Sequence, residues 1–158
     1  WCHQMQVKVN GIPVSGAVKT DKGYWMIQRS WQPGDTVSCE MEMEPERVYA
    51  HPMVRADAGC VALRRGPIIY TFEGVDNGED LQTLRIPREA KIEALPYQAD
   101  LLEGIVALRV TGCRKKMAVN PALYAEDAAP EEMVTLRAIP YYAWCNRGMT
   151  HMRVWMQE

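Results

Sequence analysis

Apolar and polar residues alternate with period two along most of the chain, the pattern of strands with one face in a core and one in water. Residues 35–44, DTVSCEMEME, are the clearest case: Val37, Cys39, Met41 and Met43 fall on one face, and Thr36, Ser38, Glu40, Glu42 and Glu44 on the other. MQVKVNG reads as a strand closing on Asn10-Gly11, a strong hairpin turn pair. YWMIQRSW sets Trp25, Ile27, Arg29 and Trp31 against Tyr24, Met26, Gln28 and Ser30, and QPGD supplies the next turn. RVYAH, CVALRRG, PIIYTFEG, LQTLRIP, KIEAL, GIVALRVTG, MVTLRAIPYYAW and HMRVWMQ follow. About ten short strands at this spacing predict an all-β chain, an antiparallel β-sandwich of jelly-roll type with little helix. No segment carries a sustained helical stripe. PREAKIEA holds at most a turn or two of helix, and PALYAEDAAPEEM, with Pro121 and Pro130, reads as a loop.

Finer features follow from the same pattern. Residues 68–72 form an apolar run expected to be buried on both faces, and GIVALRVTG is expected to bury Val106, Leu108 and Val110. Arg64 and Arg65 cannot both enter one core, so one of them is expected to pair with a carboxylate at a sheet end. In the last strand Met152, Val154 and Met156 alternate inward, with Arg153 and Trp155 on the other side. The polar stretch EGVDNGED marks a boundary. It divides residues 1–74, a partial first β-sandwich truncated at its N-terminus, from residues 75–158, a second sandwich portion with the closing strands. One compact domain is the alternative.

Composition narrows the function classes. The 158 residues allow one domain or at most two small ones. With a formal charge of −2 and no basic patch, nucleic acid is not an expected partner. No apolar run approaches the roughly 18 residues that span a bilayer, so no membrane contact is expected. The N-terminal residues show no basic region followed by an apolar stretch, so no secretory signal is read. Cys2, Cys39, Cys60, Cys113 and Cys145 are odd in number and widely spaced, without a C-x-x-C pair. They read mostly as small buried hydrophobes of a reduced chain, which fits the cytoplasm. A first residue of Trp rather than Met reads as a sequence that has been processed, trimmed or cut from something longer. With Phe72 the sole Phe, ten Met and five Trp take up core volume.

Candidate chemistry is sparse. Glycosidases hold two carboxyl groups about 5–5.5 Å or 6.5–9.5 Å apart. Glu40, Glu42 and Glu44 stand about 7 Å apart along a strand face, but so do residues of any solvated face. The acidic pair in APEE is equally plain. His3, His51 and His151 stand alone, without metal-ligand spacing, and no G-x-S-x-G elbow occurs. Neither a catalytic nor a metal-binding residue is assigned within this chain. The aromatics Trp25, Trp31, Tyr141, Tyr142, Trp144 and Trp155 have three readings that the pattern leaves open: core filling, contact with another domain, or a platform for sugar rings.

GYWMIQRSWQPGD, ALRRGPIIYTFEGVDN and IPYYAWCNRG followed by MRVW, in this order, resemble the C-terminal region of glycoside hydrolase family 127, the β-L-arabinofuranosidases and their relatives. The resemblance runs over nearly the whole chain and is most specific in RRGPIIY with EGVDN and in the closing segments. It implies a large catalytic barrel of α-helices followed by β-sandwich domains. Trp1 resembles the tryptophan that ends an earlier strand of the first sandwich, which implies that this chain begins inside that domain. In the family a cysteine nucleophile, a glutamate acid/base and a zinc ion held by cysteines and a glutamate all belong to the barrel. The zinc site includes two adjacent cysteines. This chain has no such pair, so no catalytic or zinc-binding residue is carried over, and Cys145 is not assigned as a nucleophile.

The resemblance therefore implies a non-catalytic accessory β-sandwich region that packs against a catalytic barrel absent from this chain. Further expected partners are a second copy, through exposed strand edges, and arabinose-containing sugars. A free-standing carbohydrate-binding module and an oligomerisation domain are the alternatives.

Overall fold

Asn10 and Gly11 hold φ of 51° and 77°, the positive angles that a two-residue hairpin demands. There the chain reverses between β1 (Met5–Val9) and β2 (Ile12–Pro13), with Val9 opposite Ile12. The computed structural model describes residues 1–14, 18–20, 22–116 and 123–158, with the side chains of Val18 and Lys19 outside the description. The chain divides into two compact units, residues 1–43 and 44–158.

In the first unit β3 (Val18–Lys19) pairs with β4 (Trp25–Met26), and β5 (Val37–Met41) lies antiparallel to β1, from Met5↔Met41 to Val9↔Val37. Asn10 ties the sheet together through its side chain. Its amide donates to Asp35 at 2.7 Å, and its carbonyl accepts from Thr36 N–H at 2.9 Å. The long strand expected over YWMIQRSW shrinks to Trp25–Met26. Beyond it the polar groups satisfy one another in a turn. Asp35 accepts from Gln32 N–H at 2.9 Å and faces Arg29, whose guanidinium lies 5.2 Å from the Trp31 ring centre. The inward face expected for β5 is open. Val7 and Val9 are buried, yet their cross-strand neighbours Cys39 and Val37 are exposed, as is Met41. Directly opposed residues share a face, so the face is covered over β1 and uncovered over β5.

The second unit contains β6 (Pro45–Val48), β7 (Cys60–Arg65), β8 (Ile68–Glu73), a single helical turn α1 (Gly74–Asn77), β9 (Leu84–Arg85), β10 (Ile92–Ala94), β11 (Leu108–Lys115), β12 (Glu131–Pro140), β13 (Met152–Arg153) and β14 (Met156–Gln157). Gly66, at φ 57°, and Pro67 turn β7 into β8. Pairing then runs from β8 to β12, β11, β9 and β14, and returns to β7. The β9–β14 contact is parallel and the others are antiparallel. β6 extends the sheet from β7, β10 lies along β11, and β13 along β8. The sheet thus folds over onto itself and encloses a core of Leu63, Tyr70, Phe72, Leu108, Leu136 and Met156, among others. This is the all-β, sandwich-like architecture read from the alternation. Tyr70 is tolerated inside because its hydroxyl donates to Val106 O at 2.8 Å.

Several finer expectations meet the structure differently. Within residues 68–72, Tyr70 and Phe72 enter the core and Thr71 is buried on the opposite face, but Ile69 is exposed. Arg64 takes the expected carboxylate, Glu46, at 2.7 Å. Leu108 and Val110 are buried, whereas Val106 is half-buried and Ile105 and Ala107 fill a small second cluster. Met156 is fully buried, and Met152 and Val154 only partly, because the chain bends at residues 154–155. Cys60 and Cys113 are buried, Cys39 and Cys145 are exposed and Cys2 is intermediate, so the buried-hydrophobe reading holds for two thiols. Pro121 and Ala122 of the expected loop lie outside the described residues, and Glu131 to Met133 at its end belong to β12.

The units divide at residues 43 and 44, not at the boundary drawn near residue 74. EGVDNGED is polar because it serves as a structural clasp inside the second unit. Asn77, buried, donates to Glu73 O and Arg137 O and accepts from Arg137 N–H, all at 2.8–2.9 Å, which binds α1 to the middle of β12.

Two expected outcomes follow from this packing. A Cβ on buried Gly112 of β11 would stand 2.4 Å from Leu136 Cδ1 and 3.0 Å from Arg85 O. Gly112→Ala should therefore cost about 1–3 kcal/mol through overpacking, read as a lower denaturant midpoint. An unchanged midpoint would show that the β9–β11–β12 sheet yields at this point. Glu158 accepts from Tyr49 Oη at 2.7 Å and from Arg88 Nη2 at 2.7 Å, with Arg47 at 3.4 Å. The Tyr49 hydrogen bond first, then Arg88, holds its carboxyl below the usual carboxylate range. A lowered folded value stabilises the fold above the usual range, and that contribution disappears as pH falls through the folded value. Glu158→Gln should lose stability near neutrality and show a shallower decline on acidification. Parallel pH–stability curves for the two proteins would refute the linkage.

Candidate functional site

β8 continues its alternation one residue past the apolar run, and that residue is Glu73. Its side chain has 0% exposure. A buried carboxylate needs a partner of opposite charge and filled hydrogen bonds. Arg147 supplies the charge: its Nη2 reaches Glu73 Oε2 and Asp76 Oδ2 at 2.5 Å each, and its Nη1 reaches Asp76 Oδ1 at 2.9 Å. Asp76 hydrogen bonding, together with Glu73, pushes the guanidinium pKa further up against the opposing effect of burial, so Arg147 stays charged. Cys145 N–H donates to Glu73 Oε1 at 2.7 Å, and Cys145 adopts φ 64° to present it. A left-handed angle is unfavourable for a non-glycine residue.

This cluster stitches the return segment, residues 141–151, onto α1. Gly74 N–H donates to His151 O at 2.9 Å and Val75 N–H to Thr150 Oγ1 at 3.1 Å. The segment enters through a short 3₁₀ turn, Tyr141–Ala143, and leaves into β13. Its two ends come together on the outer face of the second unit. Tyr141, Met152, Arg153, Val154 and Trp155 line a groove of about 620 Å³, with Ala56 and Asp57 of the 3₁₀ turn Arg55–Asp57, Cys60 of β7 and Ile69 of β8. Thr71 fixes the groove's edge, donating to Arg153 O at 3.0 Å. The Asp57 carboxylate and the Arg153 guanidinium take part in no hydrogen bond or ion pair among the described residues.

None of the six aromatics singled out from the sequence is buried. Trp25 and Trp31 lie exposed in the first unit, and Tyr142 is exposed in the second. Trp144 is half-buried. Tyr141, 45% exposed, and half-buried Trp155 meet in the groove. None of the six belongs to the buried core clusters. Glu40 pairs with Lys8 at 2.5 Å, while Glu42 and Glu44 remain on the surface. Among the described residues no three His, Cys, Asp or Glu side chains gather as metal ligands. No described helix is long and apolar enough to cross a membrane.

The sequence pattern placed Glu73 and Asp76 in a polar boundary stretch and did not single out Arg147. The available signal was Glu73 itself, an acid falling in phase with a buried strand.

A closed β-structure stitched by an internal ion cluster, with an open aromatic groove on its flank, has the make-up of a structural or binding module. The family model described as the glycoside hydrolase family 127 C-terminal domain matches residues 45–157, and that of the β-L-arabinofuranosidase GH127 middle domain matches residues 1–43. The chain belongs to glycoside hydrolase family 127. The non-reducing end β-L-arabinofuranosidase of Bifidobacterium longum subsp. longum is 36% identical over 157 residues, 95% of this chain and 23% of that protein. The crystal structure of a family 127 β-L-arabinofuranosidase from Geobacillus stearothermophilus T6 is similar at 46% identity and a TM-score of 0.90, covering 100% of this chain and 25% of that one. Another solved family 127 β-arabinofuranosidase matches at 34% identity and a TM-score of 0.81, over 98% of this chain and 23% of its own. The chain spans about a quarter of the length of these relatives. The two family matches meet where the two compact units divide.

Among the described residues, no arrangement of cysteines, acids and histidines fits the zinc ion that the family resemblance implies. The cysteines do not gather with acids or histidines among the described residues, and Glu73 is committed to Arg147.

Replacing Arg147 by Met should cost about 3–5 kcal/mol, because Glu73 would remain buried without its counter-charge. Arg147→Lys should recover only part of this, since an ammonium lacks the fork that serves two carboxylates. Adding Glu73→Gln to Arg147→Met should restore stability by relieving the stranded charge. Chemical unfolding of the parent, the two Arg147 variants, Glu73→Gln alone and the double variant checks this. Additive losses in the double variant would show that the two side chains are not coupled.

Proposed function

We propose that this chain is the accessory β-sandwich region of a β-L-arabinofuranosidase-like glycosidase and performs no catalytic step of its own. The observation that carries this reading is the order of the two family matches, middle domain and then C-terminal domain, within a chain a quarter as long as the enzymes it resembles. The side chains support it. Hydrolysis of the kind the family resemblance implies takes a cysteine nucleophile and a glutamate free to give and take a proton. Glu73, the acid that accepts from the Cys145 N–H, is spent with Asp76 on one guanidinium and has no access to solvent.

In this reading chemistry and zinc belong to a helical barrel encoded with the chain, which would be the main partner. The uncovered face of β5 is suited to contact with further protein, either that barrel or a second copy. A reduced, cytoplasmic setting agrees with five free thiols.

The chain expressed by itself should fold to a β-rich circular dichroism spectrum and leave 4-nitrophenyl β-L-arabinofuranoside unhydrolysed, with or without zinc and a thiol reductant. The reading frame upstream of Trp1 should encode a helical barrel with adjacent cysteines and a glutamate. Turnover by the isolated chain, abolished by Glu40→Gln or Asp57→Asn with folding intact, would overturn the proposal.

A further inference from the structure

We propose that the groove between Tyr141, Trp155, Asp57 and Arg153 binds a neutral saccharide ring, a function separate from the packing role above and independent of whether that role is correct. Its volume of about 620 Å³ lies in the range of ligand sites for small molecules, about 300–1,000 Å³. Such sites combine apolar and aromatic walls with a few polar groups that fix orientation. Here the walls are Trp155, Tyr141, Ile69 and Val154, and the polar groups are Asp57 and Arg153.

The charges define the ligand class. The acid and the base face one groove without hydrogen-bonding to each other, which leaves one acceptor group and one forked donor group for a ligand. A net anion would be drawn to Arg153 but repelled by Asp57, and a net cation the reverse, so neither net charge is favoured over a neutral ring. A ring carrying vicinal hydroxyls satisfies both, donating to the carboxylate and accepting from the guanidinium. Its C–H face is suited to the electron-rich face of an aromatic side chain.

The groove is also held in shape beforehand. Tyr141 opens the segment that Glu73, Asp76 and Arg147 clamp onto α1, and Arg153 follows its other end in β13. Thr71 holds the Arg153 backbone, and Cys60 in the floor accepts from Gln157 Nε2 at 3.3 Å. Binding into a preformed groove avoids part of the ordering cost that mobile loops impose.

The test is a titration of the full chain with L-arabinose, D-galactose and D-xylose, followed by tryptophan fluorescence and by calorimetry. Saturable binding of at least one sugar in the millimolar range is expected, as befits a small polar ligand in an open groove. Trp155→Ala and Asp57→Asn should each weaken it about tenfold or more. Trp31→Ala, in the first unit, should leave it unchanged. Asp57→Asn is isosteric and lies outside the ion cluster, so it keeps the test valid if Trp155→Ala fails to fold. Three results would overturn the proposal: no saturable response to any sugar by folded protein, an affinity unaffected by Asp57→Asn, or a Trp155 shielded by a self-association that Arg153→Glu abolishes. The last would make the groove a protein contact.

Discussion

A carboxylate held out of water at the end of a buried strand imposes the central constraint on this fold. Removing Glu73 from solvent is unfavourable by several kcal/mol unless a cation comes with it, and the cation comes from Arg147, 74 positions along the chain. Meeting that requirement fixes more than one ion pair. Once Arg147 is drawn to Glu73 and Asp76, the return segment lies on α1 and β13 falls along β8. The chain is then aimed so that Met156 enters the core and β14 joins β7 to β9. Closure of the β-structure and satisfaction of one buried charge thus engage the same stretch of chain.

The clamp also gives the outer face its form. A segment of ten or so residues without regular structure would ordinarily be mobile and spread its side chains over the surface. Tethered at Glu73, Gly74 and Val75, it instead presents Tyr141 from one end and Arg153 and Trp155 from the other around one groove. The first unit has no comparable device among its described residues. Its three-stranded sheet is joined by Asn10, Asp35 and Thr36, and half of one face stays open.

The alternation of apolar and polar residues was enough to determine the all-β class, the Asn10-Gly11 hairpin, the turn at Gly66-Pro67 and the strands β7, β8, β11 and β12, because period two is a property of neighbours along the chain. It also determined that one of Arg64 and Arg65 needs an acid, though not that the residue is Arg64 or that the acid is Glu46. Burial is different, since it depends on what lies across a face. The patterns of β1 and β5 look alike, yet Val9 is covered and its cross-strand neighbour Val37 is not. The Glu73–Arg147–Asp76 cluster, the parallel contact that closes the sheet and the gathering of Asp57, Tyr141, Arg153 and Trp155 were decided only by the tertiary structure. Each joins residues far apart in sequence whose local surroundings do not distinguish a clasp from a solvated turn. A charge in a polar stretch is surface by default, and it becomes a constraint only when folding removes the water around it.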